Sequence, residues 1–174
     1  RSVLFMCLHP QDCSSFLFFL TIRRPPRSTL FPYTPLFRSQ FWAVAGHYDK
    51  VVTFNGRQFD VPFLYLRSAQ LDVPITKKNW LGYRFATEPH CDLAEQLTFY
   101  NVSGRSGAAR RFNLDFYCRI FGVDSPKSHG VTGMDVNQLM EEERYGEIAE
   151  YCLRDVFATV KLFDIWKARL AGIK

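Results

Sequence analysis

Along residues 145–174, Ala149, Cys152, Leu153, Val156, Val160 and Phe163 recur as an apolar stripe at helical period, which predicts one long helix. A helical wheel sets Tyr151 and Asp155, four residues apart, together at the edge of that stripe, along the seam between helix and core. Upstream, Phe41, Trp42, Val44 and Ala45 suit the last turns of a helix closed by residues 46–50. Val51, Val52, Thr53 and Phe54 form a β-branched and aromatic run, the mark of a buried strand, which Asn55-Gly56 breaks. A second helix opens at Phe59-Asp60-Val61-Pro62, with Asp60 as its N-cap, Pro62 in its first turn, and Phe63, Leu64 and Leu66 on its buried side.

Beyond a connection containing Pro74, the aromatic residues 80–85 predict a strand, and His90-Cys91-Asp92-Leu93 a helix running to about residue 100. Residues 101–111 and 125–133 read as loops, the first with Arg105, Arg110 and Arg111, which could grip phosphate or simply be solvated. Asn113 can cap a helix that Gly122 ends, and residues 134–143 predict a short helix before the long one. Helix signals outnumber strand signals, and no internal repeat is present.

Residues 1–39 follow neither period. A short apolar run at 16–22 is too short to span a bilayer, and Arg23-Arg24-Pro25-Pro26-Arg27 follows it. Pro25, Pro26, Pro32 and Pro35 argue against a long helix, and no clean signal peptide can be read. The text F-F-L-T-I-R-R-P-P-R-S-T-L-F-P-Y-T-P-L-F-R-S looks like translated sequencing-adapter DNA. Residues 1–39 are therefore expected to be non-native or disordered, with the domain at 40–174. The alternative is a genuine Pro/Arg-rich arm.

Composition sharpens this division. With 174 residues, 47% hydrophobic and 16% aromatic, the chain can bury a core, which excludes wholesale disorder. Of the net charge of +5, residues 1–39 contribute five Arg and one Asp, leaving 17 basic against 16 acidic residues in 40–174. The domain itself is thus nearly neutral. Five cysteines without a C-x-x-C pair support neither a zinc knuckle nor a disulfide framework, so a reducing, cytoplasmic setting is expected, with no membrane contact.

A carboxylate at a helix–core seam needs a hydrogen-bond donor or a cation as partner, so the Tyr151/Asp155 pair admits a metal site. Taken alone, it is more often a pair on a half-exposed helix face than a metal site, and Asp60 alone reads as a capping aspartate. Together, F-N-G-R-Q-F-D at 54–60 and Y-C-L-R-D at 151–155 resemble the second and third motifs of the DEDDy-type 3′-5′ exonucleases, which have a ribonuclease H-like fold. The segments V-V-T-F-N-G-R-Q-F-D-V-P-F-L, H-C-D-L and H-G-V-T-G-M-D-V are similar to the predicted 3′-5′ exonucleases akin to the exonuclease domain of family B DNA polymerases. The resemblance covers about residues 40–170.

It implies an α/β fold with a mixed sheet and metal-dependent removal of nucleotides from nucleic-acid 3′ ends, with DNA expected ahead of RNA. In-line hydrolysis of a phosphodiester calls for charge stabilisation on the entering and leaving oxygens, which two Mg²⁺ or Mn²⁺ ions held by carboxylates supply. By the resemblance, Asp60 and Asp155 are metal ligands and Tyr151 orients the attacking water. Asn55 and Phe59 place the terminal nucleotide; the family motif does not make Asp92 a ligand, and its place in the sequence makes it a candidate to support the site from behind the ligands. A phenol with an ordinary pKa of about 10 suits orientation better than proton abstraction.

One departure matters. The family's first motif, D-x-E on the first strand, is absent before residue 40, where Asp12 is the only acid. The chain is therefore expected to be an N-terminally truncated exonuclease domain that lacks the first strands of its sheet, folds poorly and is inactive. The alternative is a catalytically dead nucleic-acid-binding or scaffold domain.

Overall fold

The computed structural model describes residues 3–6, 33–83, 85–100, 113–126 and 135–173. Three short parallel strands, β1 (Val3–Met6), β2 (Lys50–Thr53) and β3 (His90–Asp92), lie in the order β1-β2-β3. Val51 sits between Leu4 and His90, and Thr53 between Met6 and Asp92. Helix α1 (Tyr33–Gly46) leads into β2, and α2 (Asp60–Gln70) begins the return to β3. Four helices follow: α3 (Leu93–Leu97), α4 (Leu114–Phe121), α5 (Val136–Glu141) and α6 (Tyr145–Arg169).

The central strand β2 is buried along its whole length, as a parallel strand covered on both faces must be. Its side chains alternate between two cores. Val51 joins Phe41, Trp42 and Ala45 of α1, Val61 and Leu64 of α2, and Trp80. Val52 joins Cys91, Leu93 and Leu97 with Tyr117 and Cys118 of α4 and Ala158, Leu162, Phe163 and Trp166 of α6. Helices thus cover both faces of a small parallel sheet, a three-layer α/β arrangement.

Local chemistry sets several boundaries. The Asn113 side chain accepts a hydrogen bond from the Phe116 N–H at 2.9 Å and opens α4, and Gly122, at φ +66°, closes it in the left-handed conformation. Among the described residues, no helix is long and apolar enough to cross a membrane.

The structure departs from the sequence reading at three places. Of residues 80–85, those described form turns and a bend rather than a strand. Trp80 is buried, its backbone N–H donates to the Tyr65 hydroxyl at 3.1 Å and its backbone carbonyl lies 3.0 Å from His90 Nδ1, so this aromatic anchors a turn. His90-Cys91-Asp92 is a strand and not a helix start, because Asp92 both ends β3 and caps α3. The described sheet is all-parallel, which is compatible with the α/β class expected. Finally, Val3–Met6 pairs with β2 and α1 begins at Tyr33, so parts of residues 1–39 enter the described fold. Pro35 is compatible with α1 because it falls in the first turn, where no backbone N–H is needed. Asp12, the apolar run at 16–22, Arg23, Arg24, Arg27, Arg105, Arg110 and Arg111, and most of the loop at 125–133 lie outside the described residues.

Trp42 anchors the α1/α2 core. Its ring is 1% exposed and packs 5.5 Å from Trp80 and 5.0 Å from Phe41, while its Nε1 donates to the buried Ser68 hydroxyl at 2.8 Å. Trp42→Phe removes ring volume and orphans that hydroxyl together, and should lower stability by about 2–3 kcal/mol in urea unfolding. A loss below about 1 kcal/mol would mean that this contact is not central to the core.

Candidate active site at the end of the central strand

In open α/β sheets, ligands gather at the carboxyl ends of parallel strands, and here β2 and β3 end side by side at Thr53 and Asp92. The chain leaves β2 through a turn in which Asn55 takes φ +65°, a left-handed conformation that asparagine tolerates. Glycine is required next. A Cβ on Gly56 would lie 2.4 Å from Thr53 Oγ1, the same oxygen that accepts the Gly56 N–H at 3.1 Å.

Asp92 holds this turn. Its Oδ1 accepts the N–H groups of Asn55 at 2.8 Å and Ala94 at 3.0 Å, and its Oδ2 accepts that of Arg57 at 2.8 Å. Burial pushes the Asp92 carboxyl pKa upward, and the three N–H donors and the Arg57 guanidinium oppose that rise. The Arg57 side chain turns inward, with Nη2 donating to the His90 carbonyl at 3.3 Å and Nε lying 3.0 Å from Glu95 Oε2 in a buried ion pair. Asp92 therefore acts from behind, positioning the backbone that carries Asn55.

His90 links the same turn to the opposite side of the sheet. The Trp80 carbonyl can only accept, so Nδ1 is the donor at 3.0 Å and Nε2 accepts from the Thr53 hydroxyl at 2.8 Å. Thr53 Oγ1 in turn accepts from Gly56. Burial lowers the His90 pKa to about 4, which keeps the ring in this neutral tautomer at ordinary pH. Cys91 and Cys118 are not poised as nucleophiles: burial raises the Cys91 thiol to about 12 and the Cys118 thiol to about 11.

Asp60 is the first residue of α2, with Phe59 at the cap position, one step from the expected arrangement. It is 3% exposed, within the first turn, where free N–H groups and the helix dipole favour a carboxylate. The Phe59 ring is half-buried and stacked on Phe63 at 6.0 Å and 13°, so one of its faces is already covered.

Tyr151 and Asp155 correct the helical wheel. The buried face of α6 is Ile148, Tyr151, Asp155, Ala158, Thr159, Leu162, Phe163 and Trp166, so the pair lies along its middle and not at its edge. Ala149, Cys152, Leu153, Val156 and Val160 are only half-buried, because neighbours on several sides favour small and polar residues that a hydrophobic wheel discounts. Tyr151 is 6% exposed, beside Leu139 of α5 and Ile148; Asp155 is 9% exposed, and its carbonyl accepts the Thr159 hydroxyl at 2.8 Å.

Contacts orient α6 along β2. Lys50 Nζ, at the start of β2, lies 5.2 Å from the Phe163 ring. Phe54, just past its end, meets Tyr117 at 6.0 Å, and the next residue, Cys118, feels the Asp155 charge. Asp155 is eight residues before Phe163, roughly 12 Å along a helix, which puts it toward the end of β2 from which α2 departs. Among the described residues, no group of three or more His, Cys, Asp or Glu side chains is placed to hold a metal ion. Asp60 and Asp155 match a hard divalent cation in kind, as buried carboxylates, and supply two of the four acids that the sequence resemblance implies.

Residues 34–168 match the family described as predicted 3′-5′ exonucleases related to the exonuclease domain of PolB. The chain belongs to that family. Among similar proteins, DNA polymerase 1 of Sulfolobus acidocaldarius is 27% identical over 135 residues, covering 71% of this chain and 14% of the polymerase. DNA polymerase 1 of Saccharolobus solfataricus is 26% identical over 132 residues, with the same two shares. The chain thus spans a small fraction of those polymerases. The family match begins within α1, at Thr34, and closes within α6.

Sequence reasoning missed Thr53, His90, Arg57 and Glu95. The signal available was a charged or polar residue inside each otherwise buried run. The His90 pKa, lowered from 6.5 to about 4, gives a test. The unfolded ring takes up a proton below about 6.5 and the folded ring does not until about 4, so stability is full above the window and falls as pH drops through it. The loss should reach about 2–3 kcal/mol between pH 7 and pH 4.5 in urea titrations, and His90→Gln should remove that part of the pH dependence. An unchanged pH dependence in His90→Gln would mean that the ring titrates normally.

Proposed function

We propose that this exonuclease-family domain hydrolyses the terminal phosphodiester at the 3′ end of a nucleic acid, DNA ahead of RNA, at the junction of β2, α2 and α6. What carries the reading is the burial of two carboxylates, Asp60 and Asp155, on the two elements that flank the end of the central strand. Buried carboxylates are sustained by hydrogen-bond donors and by cations, and a shared divalent cation is a partner that suits two of them. Magnesium or manganese, when bound, would stabilise charge on the entering and leaving oxygens and make water a better nucleophile.

The chain's own residues do the rest. Asp60 and Asp155 hold the cation, and Tyr151, one turn before Asp155 on the same face of α6, orients the attacking water through its hydroxyl. Asn55 offers a polar contact and Phe59 its ring to the terminal nucleotide, while Asp92 keeps the turn that presents Asn55 in shape. Because D-x-E is absent before residue 40, a non-catalytic nucleic-acid-binding domain is the second reading, and one assay separates the two.

That assay follows trimming of a 5′-labelled oligonucleotide with Mg²⁺ or Mn²⁺. The chain as written should not trim, since two carboxylates do not offset the charge of two divalent ions. A version with residues 1–39 replaced by the D-x-E segment of a family member should trim. In that version Asp155→Asn should abolish cleavage, and Tyr151→Phe should lower turnover about 100-fold while leaving metal affinity nearly intact. Equal loss of metal binding in both variants would contradict the division of labour, and an inactive graft with intact DNA binding would favour the second reading.

A further inference from the structure

Arg57 stands midway along the turn between Asn55 and Phe59, and it is tied to the junction of β3 and α3 three times over. Its backbone N–H donates to Asp92 Oδ2 at 2.8 Å, its Nη2 donates to the His90 carbonyl at 3.3 Å, and its Nε lies 3.0 Å from Glu95 Oε2. The Arg57 and Glu95 side chains are only 10% and 5% exposed, although one belongs to a turn and the other to the first turn of a five-residue helix. Replacing a buried ion pair by apolar residues of like volume is often neutral for stability. What apolar residues do not supply is direction: a planar guanidinium fork holds two partners at set angles.

The start of α2 shows where that direction acts. Helices α3 and α4 open on side-chain caps, Asp92 and Asn113, whereas α2 opens at Phe59 with no side-chain cap hydrogen bond. Its entry follows the backbone of the turn, through the Val61 N–H on the Gly56 carbonyl at 2.9 Å and the Phe63 N–H on the Phe59 carbonyl at 3.0 Å. Asn55 and Phe59 each stand two residues from Arg57, and Asp60 stands three away, so one buried side chain restrains the segment that carries all of them.

We propose that Arg57 and Glu95 form a positioning pair, a clamp between the turn after β2 and the first turn of α3 that holds Asn55 and Phe59 where the 3′-terminal nucleotide is bound. Its use for the nucleotide rests on the exonuclease reading. The clamp itself is a property of the fold. It acts through Asn55 and Phe59 and touches no reacting atom, so its loss loosens nucleotide binding without removing a ligand of the cation.

The test compares the full chain with Arg57→Met, Arg57→Lys and Arg57→Met/Glu95→Leu. Three quantities are read: amide hydrogen exchange, the urea midpoint, and the affinity for thymidine 5′-monophosphate, the product that cleavage at a thymidine 3′ end would release, followed by NMR shifts. Arg57→Met should speed exchange of the Asn55 and Arg57 amides about 10-fold or more and weaken nucleotide binding by a similar factor. The milder Arg57→Lys keeps the charge without the fork and should still loosen Asn55 about 3-fold. The Met/Leu pair fills the space without charge, so it should restore the parent urea midpoint and the parent exchange of Val51, whose N–H is held by the Pro89 carbonyl at 2.8 Å. In that same variant Asn55 exchange should stay fast and nucleotide affinity low, which a merely structural pair would not produce. Parent-like Asn55 exchange in Arg57→Met, or recovery of turn protection and nucleotide affinity along with stability in the Met/Leu pair, would overturn the proposal. A turn loosened by Arg57→Met beside a parent that binds no nucleotide would instead count against the terminal-nucleotide reading and leave the clamp standing.

Discussion

The candidate site hangs on one buried carboxylate. Asp92 sits at the end of β3, where burial without donors would be costly, and three backbone N–H groups satisfy it. Two of those donors belong to the turn leaving β2 and one to the start of α3. The same carboxylate therefore sets the left-handed Asn55, the path through Gly56 and the point at which α2 begins with Asp60. His90 and Thr53 brace that turn from below, with the ring held neutral so that it can accept from the threonine hydroxyl. Buried polar networks of this kind are rigid when every member is satisfied, which suits a turn that must present a side chain to a ligand.

The second constraint is the polar line on the buried face of α6. Tyr151, Asp155 and Thr159 occupy positions where a purely structural helix would carry leucine or valine. Ala158, Leu162, Phe163 and Trp166 supply the packing that keeps the helix on the sheet, and Ile148 packs with Leu139 of α5.

Much of this was legible in the chain itself where the cause is local. Asn113 and Gly122 bound α4 as read, because caps depend on a side chain and a backbone angle within one turn. The Val51–Val52–Thr53 run and the Asn55-Gly56 break were equally plain, and the two motifs announced the family. What escaped reading depends on partners distant in sequence. A strand of three residues, His90–Asp92, is too short to show a period, and its cap residue serves two elements. Trp80 looked like part of a strand because its anchors, Tyr65 and His90, come from elsewhere in the fold. The Arg57–Glu95 pair joins residues 38 positions apart, and only the folded chain shows that Arg57 turns inward. The rotation of α6 misled for a related reason: a hydrophobic wheel cannot weight a carboxylate that the core accepts.

The central claim is that Asp60, at the start of α2, and Asp155, in the middle of α6, share a divalent cation. A crystal structure of the chain grown with Mn²⁺, phased on the manganese anomalous signal, tests it most directly. The expected result is a manganese peak within coordination distance of both carboxylates, at the end of β2. Carboxylates more than about 10 Å apart, or manganese bound elsewhere with this junction closed by packing, would contradict it.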